Sequence, residues 1–297
     1  MKILLVYNSF AGHGRAKKML PQVEGFFNKY KIDFDLALTD YPEHGVEIVG
    51  NTDFSKYDGV VAAGGDGTLF EVINGYYKNT SEKRIPIGVI PIGTGNAFAR
   101  DLELDNNNIE IAIETISKQK LRKVDVGHFF THGQNYYFLN IIGAGFVVDA
   151  NKTAQKFKLF GNFSYIIGVL YRIFVLKFTN LKLEIDGKLL EVESTFIEIS
   201  NTRYTGADFL MAPNAQIDDG LLDITLVKKI SRINLVKGLF KIFTGEHIHL
   251  AEIDTYKAKH IKIESDEPKV LTPDGELIGI TPVEITCLNH AIEVFWK

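Results

Sequence analysis

Cysteine is nearly missing from this sequence: Cys287 is the only one in 297 residues. It cannot close an intrachain disulfide, so the chain reads as a protein of a reducing compartment with a buried structural thiol. Long apolar runs are missing as well. The most apolar stretch, FSYIIGVLYRIFVLKF at 163–178, is interrupted by Arg172 and Lys177 and falls short of a membrane-spanning helix. ILLVY, close to the start, is too short for a signal core and no small-residue cleavage site follows it, so no export is expected. There is no excess of positive charge: 33 basic against 37 acidic side chains give −4, which excludes a global field for nucleic acid. The eight histidines are scattered, and no His or Cys cluster suggests zinc. GxxxxGK[ST], HRD and DFG are absent, which excludes the common P-loop and the protein kinases. No internal repeat or low-complexity linker is visible.

What is present suits a folded core, with 45% hydrophobic residues spread over a length fit for two modest domains or one large one. KILLVYN reads as a buried strand, followed by Met19, Leu20, Val23, Phe26 and Phe27 at helical spacing. FDLALT, DGVVAA and IPIGVI repeat the strand, while Val46–Val49, TLFEVINGYY and NAFARDL read as helices. Continuous apolar strands alternating with helices imply a parallel sheet covered on both faces. From Asp125 onward LKLEID, LEVESTFIEIS, LLDITLV, HIKIES and VEITCL alternate with period two, as in an antiparallel domain. The expectation is an α/β N-terminal domain, residues 1–122, and a β-rich C-terminal domain, residues 123–297.

Three loops fall where the carboxyl ends of the parallel strands belong: NSFAGHG (8–14), GGDGT (64–68) and PIGTGN (91–96). Their glycines permit close approach of backbone N–H groups to an anion, and together they form a phosphate-cradle pattern. Asp66, a carboxylate set between glycines, either shapes the turn or meets a ligand. Thr68 is available to cap the following helix, which would leave Asp66 free.

GGDGT, the FEVING helix and PIGTGNAFA resemble the diacylglycerol kinase catalytic-domain family, which includes bacterial lipid kinases, sphingosine kinases and ceramide kinases. DVG (125–127), NIIGAGFVVD (140–149), APNAQIDDGLLDI (212–224) and PDGE (273–276) follow in the family's order, so the resemblance covers almost the whole chain. GGDGT alone occurs in NAD kinases and resembles a phosphofructokinase loop; the other blocks separate the lipid kinases from these. The resemblance implies a NAD-kinase/phosphofructokinase-like first domain, a β-rich second domain and an active site in the cleft between them. In some relatives the last residues return to the first domain.

The same resemblance implies an ATP-dependent kinase acting on the primary hydroxyl of a long-chain lipid of the diacylglycerol, sphingosine or ceramide type. It points to Asn8, Gly12, Thr39, Gly64, Gly65, Gly67, Thr68, Thr94 and Asn96 for the nucleotide, with Ser9 standing where the family usually has Pro. It gives Asp66 and Glu276 the cation and general-base tasks in an order left open, and Asp125 a role in positioning acceptor or metal. In bacterial relatives the 216–221 loop holds a structural Mg²⁺, which by position assigns Asp219 through its side chain and Gln216 and Leu221 through their carbonyls. Hard oxygen donors of this kind suit Mg²⁺ or Ca²⁺.

The acceptor side is compositionally distinct. Between Asp149 and Glu184 no acidic residue occurs, yet Lys152, Lys156, Lys158, Arg172, Lys177 and Lys182 stand among seven Phe or Tyr residues. Lys228, Lys229, Arg232, Lys237 and Lys241 form a second basic run with Phe240 and Phe243. Such segments suit either a bilayer surface or a core helix pair with a solvated basic edge. A cytoplasmic enzyme held peripherally at a membrane is expected, with no nucleic-acid partner and with a homodimer left open. The competing readings are a NAD kinase and a non-catalytic, nucleotide-responsive lipid-binding protein.

Overall fold

The computed structural model describes residues 1–104, 108–145, 176–206 and 209–297. Strands β1 (Lys2–Tyr7), β2 (Asp33–Leu38), β3 (Gly59–Gly64) and β4 (Ile87–Pro91) are parallel neighbours in the order β4-β3-β1-β2. β3 and β4 are buried throughout, as strands covered on both faces must be, whereas edge strand β2 is largely exposed. Helices α1 (Arg15–Lys29), α2 (His44–Gly50), α3 (Asp66–Lys78), α4 (Ala97–Asp101) and α5 (Ile109–Ser117) supply the cover. α3 buries Leu69, Phe70, Val72, Ile73 and Tyr76, a helical stripe. α5 is an element the pattern above leaves out. Its IEIAIETIS alternates like a strand, but Ile109, Ala112, Ile113 and Ile116 bury at helical spacing, and that spacing prevails.

The second half comprises β5 (Leu121–Thr131), β6 (Gln134–Phe138), β7 (Ile141–Gly145), β8 (Thr179–Ile185), β9 (Lys188–Ser200), β10 (Leu222–Lys228), helix α6 (Arg232–Lys241), β11 (Ile253–Ala258), β12 (His260–Ser265), β13 (Leu271–Pro273) and β14 (Val283–Phe295). Apart from one parallel contact, its strands pair antiparallel. β8 alternates buried and exposed residues without a break, and Asp186-Gly187, both at positive φ, turn it tightly into β9.

β14 joins the two halves. It pairs antiparallel with β5 and β12 and, through Val294, parallel with Ile87 of β4. The C-terminal strand therefore makes one sheet of the whole chain, in the order β11-β10-β9-β8-β12-β14-β4-β3-β1-β2. One apolar cluster packs around β1, β3 and β4, a second lies between the antiparallel strands, and a third lies under α6. Most of the basic aromatic segment, from Lys152 to Arg172, lies outside the described residues. Among the described residues no helix is long and apolar enough to cross a membrane.

Candidate active site

Because β1, β3 and β4 are adjacent and parallel, the loops leaving their carboxyl ends meet. Asn8 Nδ2 donates to Thr68 Oγ1 at 3.1 Å, joining the first loop to the second. The Gly64 carbonyl accepts from Ile92 and Gly93 N–H, both at 2.9 Å, joining the second to the third. Arg15 closes the ring by donating to the Ile92 carbonyl at 3.0 Å. Close approach explains the glycines. A Cβ on Gly93 would overlap Gly65 Cα and stand 2.9 Å from Gly65 N, and one on Gly12 would stand 2.7 Å from the Ile92 carbonyl oxygen. Thr39, just past β2, is buried and donates its N–H to Tyr7 at 3.0 Å. Thr94 is exposed on the third loop. Asn96 is buried in the left-handed region and donates to the Gly93 carbonyl at 2.9 Å. The expected nucleotide residues therefore gather at one edge of the sheet, and each loop keeps main chain at the surface where side chains would block it.

Asp66 is not free in the way the sequence suggests. Gly65 holds the cap position of α3, Thr68 is engaged by Asn8, and Asp66 instead caps α4, accepting from Ala97 N–H at 2.8 Å. Asn140 Nδ2 reaches the same oxygen at 3.3 Å. Burial pushes the carboxyl up to about 6, against the downward pull of these donors.

Glu276 meets the same loop from the other half of the chain. Its Oε1 lies 2.7 Å from where a Cβ on Gly67 would stand, so a side chain at 67 would push this carboxylate away from the loop. It faces solvent on one side, and its pKa is raised, first by partial desolvation and then by the negative Glu71. Glu71 in turn caps α2, accepting from Glu43 and Gly45 N–H at 2.9 and 2.8 Å.

Two further residues complete the constellation. Asp274, buried at 7% exposure, accepts Leu139, Asn140 and Ile141 N–H at 3.1, 3.0 and 3.0 Å. Burial pushes its carboxyl up to about 7, with Asp66 adding to the rise. Asn140 is thereby held on Asp66 while its own Oδ1 has no hydrogen-bond partner among the described residues. The signals were the PDGE and NIIGAGF stretches, whose residues can be ranked only once the loops are seen to meet. Arg15, a cation at the anion cradle, carries no motif of its own.

Asp125 is not part of this group. Its oxygens accept His290 and Gly220 N–H, both at 2.7 Å, and burial raises its pKa. It braces the 216–221 loop, the loop expected to hold a cation, through the Gly220 N–H. At the loop expected to hold a cation through Gln216, Asp219 and Leu221, the Asp219 side chain already has partners. Asp219 Oδ2 lies 2.6 Å from Lys257 Nζ and Oδ1 accepts Leu221 N–H at 3.1 Å. Lys257 also stands 3.3 Å from Asp223, so an ammonium occupies the centre of the acidic loop. A divalent ion held by Asp219 at this loop would have to take the place of the Lys257 ammonium.

Glycine-bound loops that present main-chain N–H groups beside poised carboxylates define a phosphotransferase of the α/β class. Residues 2–129 match the diacylglycerol kinase catalytic domain, and residues 140–296 match the YegS C-terminal NAD kinase beta sandwich-like domain. The chain is 30% identical over 292 residues to a diacylglycerol kinase of Bacillus subtilis (strain 168), covering 98% of this chain and 94% of the relative. A diacylglycerol kinase of Staphylococcus carnosus (strain TM300) is 30% identical over 295 residues, with 98% and 94% covered. A crystal structure of a diacylglycerol kinase from Bacillus anthracis str. Sterne superposes with a TM-score of 0.79 at 29% identity, covering 100% of this chain and 97% of that one. The chain belongs to the diacylglycerol kinase catalytic-domain family and is a lipid kinase.

Proposed function

We propose that the cleft transfers the γ-phosphoryl group of ATP, supplied as its Mg²⁺ complex, to the primary hydroxyl of a diacylglycerol-type lipid. The observation that carries this reading is Glu276 seated over Gly67, a carboxylate facing the phosphate cradle from the opposite half of the chain. The lipid oxygen attacks the γ-phosphorus, the bond to the β-phosphate oxygen breaks, ADP leaves, and the hydroxyl proton passes to Glu276. A raised pKa makes that carboxylate a better proton acceptor than an ordinary surface glutamate. Asp66 acts on the cradle: by holding the N-terminus of α4 it fixes the 91–96 loop against Gly65.

A NAD kinase would share the cradle, but the curated relatives at 30% identity are named for a lipid, and α6 presents Ile233 and Phe240 to solvent at 71% and 70% exposure. With Lys237 exposed on the same helix, this face suits peripheral contact with an anionic bilayer. The test is transfer of labelled phosphate from ATP to a panel of dispersed lipids and to NAD, with Glu276→Gln and Asp66→Asn in parallel. Labelled diacylglycerol, reduced at least about a hundredfold in kcat for Glu276→Gln while ATP affinity holds, is expected. Label in NAD alone, or full turnover by Glu276→Gln, would overturn the reading.

A further inference from the structure

At the end of β4 away from the cradle, a polar pocket of about 290 Å³ opens on the seam between the two halves of the chain, lined by Tyr76, Tyr77, Arg84, Lys123, His290 and Glu293. The five residues of β4 separate it from the transfer site, about 16 Å at the rise of a strand. Each wall comes from a different part of the chain. Tyr76 and Tyr77 lie near the end of α3, Arg84 leads into β4, Lys123 lies in β5, and His290 and Glu293 belong to β14. They meet because β14 crosses here from the second half to the first, pairing Val294 with Ile87 of β4 and Glu293 with Lys123 of β5.

Neither Arg84 nor Lys123 forms an ion pair among the described residues, although Lys123 stands opposite Glu293 in the register. Arg84 is fixed all the same: Nη1 donates to the Tyr76 carbonyl at 2.9 Å, and the guanidinium lies 5.0 Å from the centre of the Tyr76 ring. Tyr77 is fixed by stacking on Tyr137 at 3.7 Å, and its phenol oxygen is buried without a hydrogen-bond partner among the described residues. Burial raises the phenol's pKa, so it keeps its proton and remains a donor. A held guanidinium, an unpaired ammonium and an unsatisfied hydroxyl lining one pocket call for acceptor oxygens.

We propose that this pocket binds a small phosphomonoester of the polyol-phosphate class, at a site separate from the nucleotide's. The Arg84 fork takes two phosphate oxygens, and Lys123 and the Tyr77 hydroxyl take the third. Glu293 repels a bare anion but accepts from a hydroxyl, which favours a phosphate carried on a polyol over inorganic phosphate. His290 connects the pocket to the second half of the chain. Its N–H donates to Asp125 Oδ1 at 2.7 Å and its ring Nε2 to the Asp218 carbonyl at 3.1 Å, so an occupant set against His290 bears on the 216–221 loop.

Titration calorimetry with the cradle filled by the β,γ-imido analogue of ATP separates this pocket from the transfer site. Glycerol 3-phosphate should bind wild type more tightly than inorganic phosphate does, and sorbitol, which lacks the phosphate, should not bind. Arg84→Gln and Lys123→Gln should each weaken glycerol 3-phosphate at least about tenfold, the loss of one charge-assisted contact. Arg84→Lys, which keeps the charge but not the fork, should fall between wild type and Arg84→Gln. Tyr77→Phe should weaken binding about threefold and, without ligand, raise Tm by removing an unpaired buried oxygen. Lys123 is exposed, so its variant remains a fair test even where Arg84→Gln disturbs folding through Tyr76. No binding of glycerol 3-phosphate to wild type, unchanged affinity in Lys123→Gln, or a loss of binding in the cradle variant Arg15→Gln would overturn the proposal. Equal affinity for inorganic phosphate would remove the polyol from it.

Discussion

Asp274 offers the sharpest quantitative test, because opposing influences act on one buried carboxyl. Three main-chain N–H groups favour its charged form, while burial and the neighbouring Asp66 favour the neutral one and prevail, moving it from 3.8 to about 7. An acid whose folded pKa is raised holds its proton longer in the folded protein than in the unfolded chain. Its contribution to stability is complete at low pH and is lost as pH climbs from about 4 to about 7. The loss amounts to about 4 kcal/mol, a large share of the roughly 5–15 kcal/mol that holds a typical domain. Asp274→Asn does not titrate. Its amide oxygen can keep the Asn140 and Ile141 bonds made by Oδ1, but its NH₂ then faces Leu139 N–H, a mismatch worth about 1–3 kcal/mol. Wild type should therefore be the more stable protein at pH 4.5, and the order should reverse by pH 8. Urea unfolding of both proteins at the two pH values gives the difference directly, and Asp66, common to both, cancels to first order. If wild type instead gains on the variant as pH rises, the three N–H donors outweigh burial and the reasoning is wrong.

Other outcomes follow from the same geometry. Gly93→Ala forces a methyl into Gly65 main chain, which cannot yield, so a loss of about 1–3 kcal/mol and at least about tenfold weaker ATP binding are expected by thermal shift and calorimetry. Lys257→Met leaves Asp219 and Asp223 without their ammonium; Tm should fall and recover in millimolar Mg²⁺, while wild type should ignore both Mg²⁺ and EDTA before nucleotide is added. A wild-type protein destabilised by EDTA would restore the resident-ion expectation for this loop. Phe240→Ser with Lys237→Glu should reduce sedimentation with anionic liposomes and make what remains less sensitive to salt, and unchanged binding would remove α6 from the membrane face.

The α/β half was legible because its strands are continuous apolar runs with glycine loops at regular intervals, a pattern only a covered parallel sheet explains. Leu4 and Leu5, Val60 and Val61 and Ile87 to Ile90 announce themselves this way. α5 was not legible, since IEIAIETIS satisfies both periods and only packing against β4 decides between them. That the three glycine loops meet at one end of the sheet could be read from glycine spacing, but the partners of the carboxylates could not. Asp66, Asp219 and Asp274 sit beside glycines and Asp125 lies within β5, and their difference lies in which main-chain N–H groups meet them, set by partners up to 165 residues away, as for Asp125 and His290. Lys257 likewise carries no local signal, because its meaning comes from β11 pairing with β10 beside the acidic loop.

Asp66 lies between glycines because the loop has two demands that compete for the same space. The phosphate side needs bare main chain, which Gly65 and Gly67 supply, the first packing on Gly93 and the second leaving room for Glu276. The protein side needs a fixed geometry, which bare glycines cannot hold by themselves, given their conformational freedom. Asp66 supplies it by turning away from the cradle to cap α4, while Asn140, positioned by Asp274, meets it from the second half. One carboxylate thus ties the second and third loops to β7 and β13. The alignment of the cradle loops therefore depends on side chains from both halves of the chain, and a substitution at Asn140 or Asp274 reaches the 91–96 loop through Asp66.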